Sequence, residues 1–172
     1  MQRRTTTLIC TAVLAAATAC GSTGSTASAG AAPDSPTRMV GDATAVTKQL
    51  LATGLPVKLT VTYDGTTDPD GRLGQPHQYV SKTAFDDTRV SNSPLAKEDA
   101  VGHRRDAVSY GGTVEVFATP EDAEAWVQGP GSGQAAGSSA RPDYVYRSGV
   151  VVVRVSHLLT PEQAKAYASA IG

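Results

Sequence analysis

The sequence predicts an α+β domain built on a mainly antiparallel sheet of about four to five strands, with two or three helices packed on one face. Three observations lead there. Residues 57–63 alternate apolar and polar, residues 150–155 carry a nearly unbroken run of valines, and two Thr-Pro-Glu starts, at Thr119 and Thr160, each open a helix. The order of elements is helix, strand, strand, strand, helix, hairpin, helix.

The first helix places Val46, Leu50 and Leu51 on one side, with Asp42 or Thr44 as its cap, and Gly54 and Pro56 close it. Val57, Leu59, Val61 and Tyr63 then alternate with Lys58, Thr60 and Thr62, the pattern of a strand with one wet face. Asp64 and Gly65 turn the chain. Residues 78–86 alternate less cleanly, with Tyr79, Ser81, Thr83 and Phe85 on one side. Between residues 88 and 112 Pro94, Gly102, Gly111 and Gly112 punctuate a polar stretch that predicts no element. Residues 113–117 are the next strand.

Thr119 supplies a hydroxyl cap, Pro120 fits the first turn, and Glu121 and Asp122 favour the positive end of a helix whose apolar side is Ala123, Trp126 and Val127. Tyr144 to Tyr146 and the valine run flank Arg147, Ser148 and Gly149, which predicts a hairpin. A strand so uniformly apolar is buried on both faces and therefore central. Thr160 repeats the capping chemistry with Gln163 placed for a capping box, and Ala164, Tyr167, Ala168 and Ile171 line the last helix.

This domain, residues 43–172, follows two other segments. The start is basic at Arg3 and Arg4, an apolar stretch runs from Leu8 to Ala17, and small residues lead into Cys20. The apolar stretch has about a dozen residues, where a spanning helix needs about 20. Leu14 to Cys20, followed by Gly21 and Ser22, resembles the lipobox of bacterial lipoproteins, with Ala17 where leucine is the common residue. Taken with the arginine-rich, alanine-rich, isoleucine-poor composition, the chain resembles the exported lipoproteins of actinobacteria. That resemblance implies removal of the signal, residues 1–19, and a diacylglyceryl group on the Cys20 sulfur. It places the protein on the extracytoplasmic face of the cell membrane. Two chains on one glycerol hold a protein durably, at about 0.8 kcal/mol per buried methylene. Ala17, Thr18 and Ala19 also form a small-x-small site for the ordinary signal peptidase, which would release a soluble protein. Arg3 and Arg4 leave a twin-arginine route open.

Cys10 and Cys20 are the only cysteines, so a mature chain starting at Cys20 has no internal disulfide. Residues 20–42 are dominated by Gly, Ser, Thr and Ala and read as a flexible linker, about 25 Å from end to end. Residues 129–141 read as a long surface loop.

Of 15 basic and 16 acidic residues, Arg3 and Arg4 leave with the signal, and the mature net charge is −3. That balance excludes a nucleic-acid partner on electrostatic grounds. His103, Arg104 and Arg105, flanked by Asp99 and Asp106, read as a solvated turn. Asp64, Asp68, Asp70 and Gly71 suggest a calcium loop, but its register puts Thr66 at the first ligand position and His77 at the twelfth, where acids are required. A plain Asp-Pro-Asp-Gly turn fits better. His77, His103 and His157 stand in no metal-ligand spacing, and His157 reads as a structural histidine. There is no Gly-x-Ser-x-Gly elbow and no Ser-x-x-Lys. The sequence calls for no cofactor, no metal and no catalytic residue.

Tyr144 and Tyr146 share one strand face beside the Gly/Ser loop and are candidate contact residues. The expected function is a membrane-anchored binding or accessory module for a protein or envelope component. An exported hydrolase with a dispersed site and a secreted inhibitor-like domain are the alternatives.

Overall fold

The computed structural model describes Met39 and residues 41–100, 107–133 and 141–172. The chain divides into two units, Met1–Pro33 and Asp34–Gly172, and every described residue belongs to the second. The signal, Cys20, most of the linker and the His103, Arg104 and Arg105 cluster lie outside the described residues, as do residues 134–140 of the Gly/Ser loop.

The nine main elements are α1 (Ala43–Ala52), β1 (Val57–Thr62), β2 (Tyr79–Asp87), α2 (Pro94–Asp99), β3 (Gly111–Phe117), α3 (Pro120–Gln128), β4 (Tyr144–Ser148), β5 (Val151–Val155) and α4 (Pro161–Ile171). The five strands form one sheet in the order β1-β2-β3-β5-β4, and every neighbouring pair is antiparallel. The α+β architecture expected from the sequence is the one observed.

Local chemistry accounts for the helices. Asp42 caps α1 by accepting from the Ala45 N–H, and Thr119 caps α3 by accepting from Asp122. Thr160 and Gln163 make the reciprocal capping box of α4. Helix α2 starts at Ser93, whose hydroxyl accepts from Ala96 ahead of Pro94 at the first turn. This short helix and the 3₁₀ turn Val108–Tyr110 fall in the stretch for which the sequence predicts no element.

The strand alternation divides the core between two faces. On the first face Val57, Phe85, Val114, Val116, Val151, Val153 and Val155 meet Val46 and Leu50 of α1 and Ala164, Tyr167 and Ile171 of α4. On the second, Tyr79, Phe117 and Val152 meet Ala123 and Trp126 of α3. Two long helices thus share one face and the third occupies the other. Strand β5 has neighbours on both sides and its Val151, Val152 and Val153 are buried, as the valine run predicts. Leu51, grouped with Val46 and Leu50 by sequence, instead points outward and is 55 % exposed.

Gly112 shows how tightly β2, β3 and β5 are drawn together over the first face. A Cβ there would lie 2.3 Å from the Arg154 carbonyl oxygen and 2.7 Å from Cζ of Phe85. Only glycine lets the Phe85 ring, stacked on Tyr167 with centroids 5.7 Å apart, cross β3 at this point.

Candidate functional site

The second face carries the chemistry. β2 and β3 pair so that Lys82 stands directly opposite Glu115, and a register shift between Tyr79 and Ser81 turns the Tyr79 ring onto the same face as Lys82. The sequence alternation puts Tyr79 with Ser81, Thr83 and Phe85; the bulge moves it to the other side of the sheet. There its ring packs edge-on against Phe117 and Trp126, with centroids 6.1 and 5.3 Å away.

The turn after β1 is anchored on this face. Asp64 accepts from the Thr66 and Thr67 amides and hydroxyls, which hold its carboxyl down to about 2. The chain then folds Asp68 inward, and its side chain is fully buried. Asp68 Oδ2 accepts from the Arg72 amide at 2.8 Å, the Leu73 amide at 3.0 Å and the Tyr79 hydroxyl at 2.7 Å. Its Oδ1 accepts from Lys82 Nζ at 3.1 Å.

Lys82 Nζ also donates to Asp70 Oδ2 and lies 3.4 Å from the Tyr79 hydroxyl oxygen. The rings of Tyr63 and Tyr79 approach the ammonium with centroids 5.3 and 5.0 Å away. Only 4 % of the Lys82 side chain is exposed. Burial alone would raise the Asp68 carboxyl, yet the Tyr79 and amide donors and the Lys82 charge outweigh it and bring Asp68 to about 2. Burial and the bond to Asp68 push the Tyr79 hydroxyl well above its ordinary range.

Glu115 completes the cluster. Thr113 Oγ1 donates to its Oε1 at 3.2 Å and the Trp126 indole N–H donates to its Oε2 at 3.3 Å. Burial raises the Glu115 carboxyl above the usual carboxylate range, against the opposing charges of Arg154 and Lys82. The chain after α3 closes over this point: a Cβ on Gly131 would lie 2.1 Å from Trp126 Nε1, so no larger residue fits against the indole.

A second buried ionic cluster lies on the first face. Asp87 receives Arg89 through Nε and a terminal guanidinium nitrogen, and the Tyr167 hydroxyl donates to Asp87 Oδ2 at 2.7 Å. The tie joins β2 to α4 across the sequence. The Asp87 bond raises the Arg89 guanidinium, and burial raises the Tyr167 hydroxyl.

The histidines separate. His157 Nδ1 lies 3.1 Å from Asp143 Oδ1, an oxygen that also accepts from the His157 amide, and 17 % of its side chain is exposed. This is a tie between the start of β4 and the end of β5. Arg154 Nε lies 3.5 Å from the other Asp143 oxygen. His77 is 85 % exposed, adopts φ 60°, and sets Nδ1 2.9 Å from Asp122 Oδ1. His103 lies outside the described residues.

Tyr144 and Tyr146 are both half-buried and pack against the core of the first face, and the Tyr144 hydroxyl donates to the Leu159 carbonyl oxygen at 3.4 Å. Burial raises the Tyr146 hydroxyl. They sit on β4, which pairs with β5 alone among the described strands.

Of the calcium-loop acids, Asp64 holds a turn, while Asp68 and Asp70 bind a lysine. Among the described residues no group of three or more His, Cys, Asp and Glu is placed to hold a metal ion. No helix among them is long and apolar enough to cross a membrane. No family model, curated protein or solved structure matches the chain.

Sequence reasoning missed Lys82, Glu115, Asp68 and Asp87 as members of buried clusters. Alternation points Lys82 and Glu115 away from the valine face and so to solvent, and Asp68 lies in a turn; α3 and the covering chain bury them. Asp87 falls two residues after Phe85 on the first face, where Tyr167 of α4 reaches it.

Proposed function

We propose that this protein is a lipoprotein held on the extracytoplasmic face of the cell membrane through Cys20, with its folded domain acting as a binding or accessory module for a protein or envelope component. The run from Leu14 to Cys20, followed by a long Gly/Ser/Thr/Ala stretch, is the single observation that carries the reading. The use of the charged groups supports the second half of it. Lys82, Asp68, Asp70 and Tyr79 satisfy one another, as do Asp87, Arg89 and Tyr167, so both buried clusters hold loops and helices in place. Tyr144 and Tyr146, half-buried on a strand at the end of the sheet, offer amphipathic contact area.

Detergent phase partitioning of the wild type and of Cys20→Ser tests the anchor. The wild type is expected in the detergent phase and the variant in the aqueous phase. Both remaining aqueous would return the protein to the secreted, unanchored class. Photocrosslinkers placed at Tyr144 and Tyr146 on intact cells test the module; a specific adduct lost when either site is moved to exposed Leu95 supports it.

One observation favours the hydrolase alternative: His77 combines a left-handed backbone, an exposed ring and an Nδ1 contact with Asp122. Hydrolysis of an ester or amide panel that disappears in His77→Ala would favour that reading.

A further inference from the structure

We propose that Lys82 and Asp68 are a self-processing pair, whose ε-amine and carboxyl condense after folding to an intramolecular amide with loss of one water. The inference is independent of the Cys20 anchor. It starts from the way the two oxygens of Asp68 are used. Oδ1 faces Lys82 Nζ at 3.1 Å, whereas Oδ2 faces away and collects three donors, from the Arg72 and Leu73 amides and the Tyr79 hydroxyl. Attack of Nζ on Cγ drives negative charge onto Oδ2, where those donors are already in place as an oxyanion hole. Oδ1, on the amine side, is the oxygen that leaves.

The atoms balance without a cofactor. The resting pair is ionic. One proton passes from the ammonium to Asp68 Oδ1, giving a neutral amine and a carboxylic acid. The Nζ–Cγ bond then forms and the carbonyl electron pair moves to Oδ2. A second proton leaves the nitrogen and reaches the Oδ1 hydroxyl, the Cγ–Oδ1 bond breaks, the Oδ2 pair re-forms the carbonyl, and water departs.

Glu115 stands opposite Lys82 in the β2–β3 register, and directly opposed residues have Cβ atoms about 5 Å apart. Its carboxyl oxygens accept from Thr113 and Trp126, so it acts on Lys82 by charge across the register, and the second proton passes directly from the nitrogen to the Oδ1 hydroxyl.

Burial keeps bulk water away from the pair. An ion pair with side chains 4 % and 0 % exposed carries a desolvation cost that a neutral amide does not. Holding the two groups in contact replaces a bimolecular condensation with an intramolecular one. Asp70 also touches Nζ, but its side chain is 48 % exposed, and among the described residues its Oδ2 has only the distant Tyr79 hydroxyl, at 3.4 Å, as a further donor. It holds the ammonium and lacks the oxyanion hole. The resulting staple would tie the turn after β1 to the middle of β2 in a mature chain with no disulfide.

Tryptic mapping of the purified folded protein, whether recovered from membranes or from the soluble fraction, reads the bond directly. Trypsin cuts after Lys58, Arg72, Lys82 and Arg89. The expected product is a branched species, residues 59–72 joined to residues 73–89, one water lighter than the two peptides together and uncut at Lys82. Fragment spectra are expected to place the branch on Asp68. Lys82→Arg is expected to abolish it, with an unchanged circular-dichroism spectrum. Recovery of free 59–72 and 73–82 from wild type, even after long incubation of the folded protein near neutral pH, overturns the proposal. A branch on Asp70 overturns the assignment of the electrophile. The wild-type map decides the matter even if a variant fails to fold.

Discussion

The two faces of the sheet solve the same problem with different materials. The first is closed by α1 and α4 over aliphatic side chains, with one ionic tie, Asp87 to Arg89 and Tyr167, at its margin. The second is closed by one helix and by irregular chain, and its centre is polar: Lys82, Asp68, Tyr79 and Glu115 lie where the first face has Phe85 and valines. Helices bring their own satisfied backbone to a sheet, whereas a turn brings amides that need acceptors. Asp68 is that acceptor for Arg72 and Leu73, and Lys82 is the charge that lets Asp68 be buried.

If that account is right, the second face should fail more sharply when one partner is removed. Lys82→Met leaves the Asp68 carboxylate buried beside an apolar stem and is expected to cost about 3–5 kcal/mol. Urea unfolding followed through Trp126, the only tryptophan and a member of this face, measures it directly. A loss within experimental error would mean that the turn holds Asp68 without its lysine.

The pH profile separates two carboxyls of the same face by sign. While the Lys82–Asp68 pair is still ionic, as in freshly refolded protein, the folded state depresses Asp68 to about 2, so its contribution is present above the unfolded value, 3.8, and is lost as pH falls through the folded one. A depression of that size corresponds to about 2 kcal/mol of stability. Glu115 is displaced the other way: its contribution is complete below the unfolded value, 4.5, and is lost as pH rises through its elevated folded value. Stability should therefore fall at both ends. Glu115→Gln should remove the loss on the alkaline side of 4.5 while leaving the acid limb intact. An unchanged profile in that variant would show that Glu115 is ionised in the folded protein.

The first face should yield less to a comparable change. Tyr167→Phe removes the hydroxyl at 2.7 Å from Asp87 but leaves the carboxylate bound by Arg89. The expected cost is about 1.5 kcal/mol, the worth of one hydrogen bond to a charged group. A loss as large as that of Lys82→Met would erase the distinction between the faces.

The features legible in the sequence were those set by local chemistry. Thr119 and Thr160 cap helices because hydroxyl, proline and acid stand in adjacent positions, and the valine run is central because nothing in it tolerates water. Helix α2 was not legible, being six residues with Ala96 as its one buried position. The candidate site was hidden for two further reasons. The bulge at Tyr79 breaks the period on which strand reading depends. Asp68 also sits in an Asp-Pro-Asp-Gly turn, a composition that marks the chain reversal and says nothing of which side chain the reversal tucks under. Tyr144 and Tyr146 were correctly placed on one strand face, and the structure adds that this face is the one packed against α4.

The smallest effect tests whether the helices of the first face are held by their ends or by their packing. In α4 the Thr160 hydroxyl accepts from the Gln163 amide at 3.3 Å, and the Gln163 side chain returns the bond to the Thr160 amide at 2.9 Å. Thr160→Ala breaks this box at an exposed site without disturbing Tyr167 or Ile171, which are buried further along. Caps of this kind contribute about 1 kcal/mol, and the change should appear as a small fall in the unfolding midpoint with an unaltered slope. If the cap instead governs docking of α4, Thr160→Ala will expose amides of the last helix to hydrogen exchange well before the strands open. Under the packing account they exchange together with β2, because Tyr167 remains bound to Asp87 and stacked on Phe85 whether or not the first turn frays.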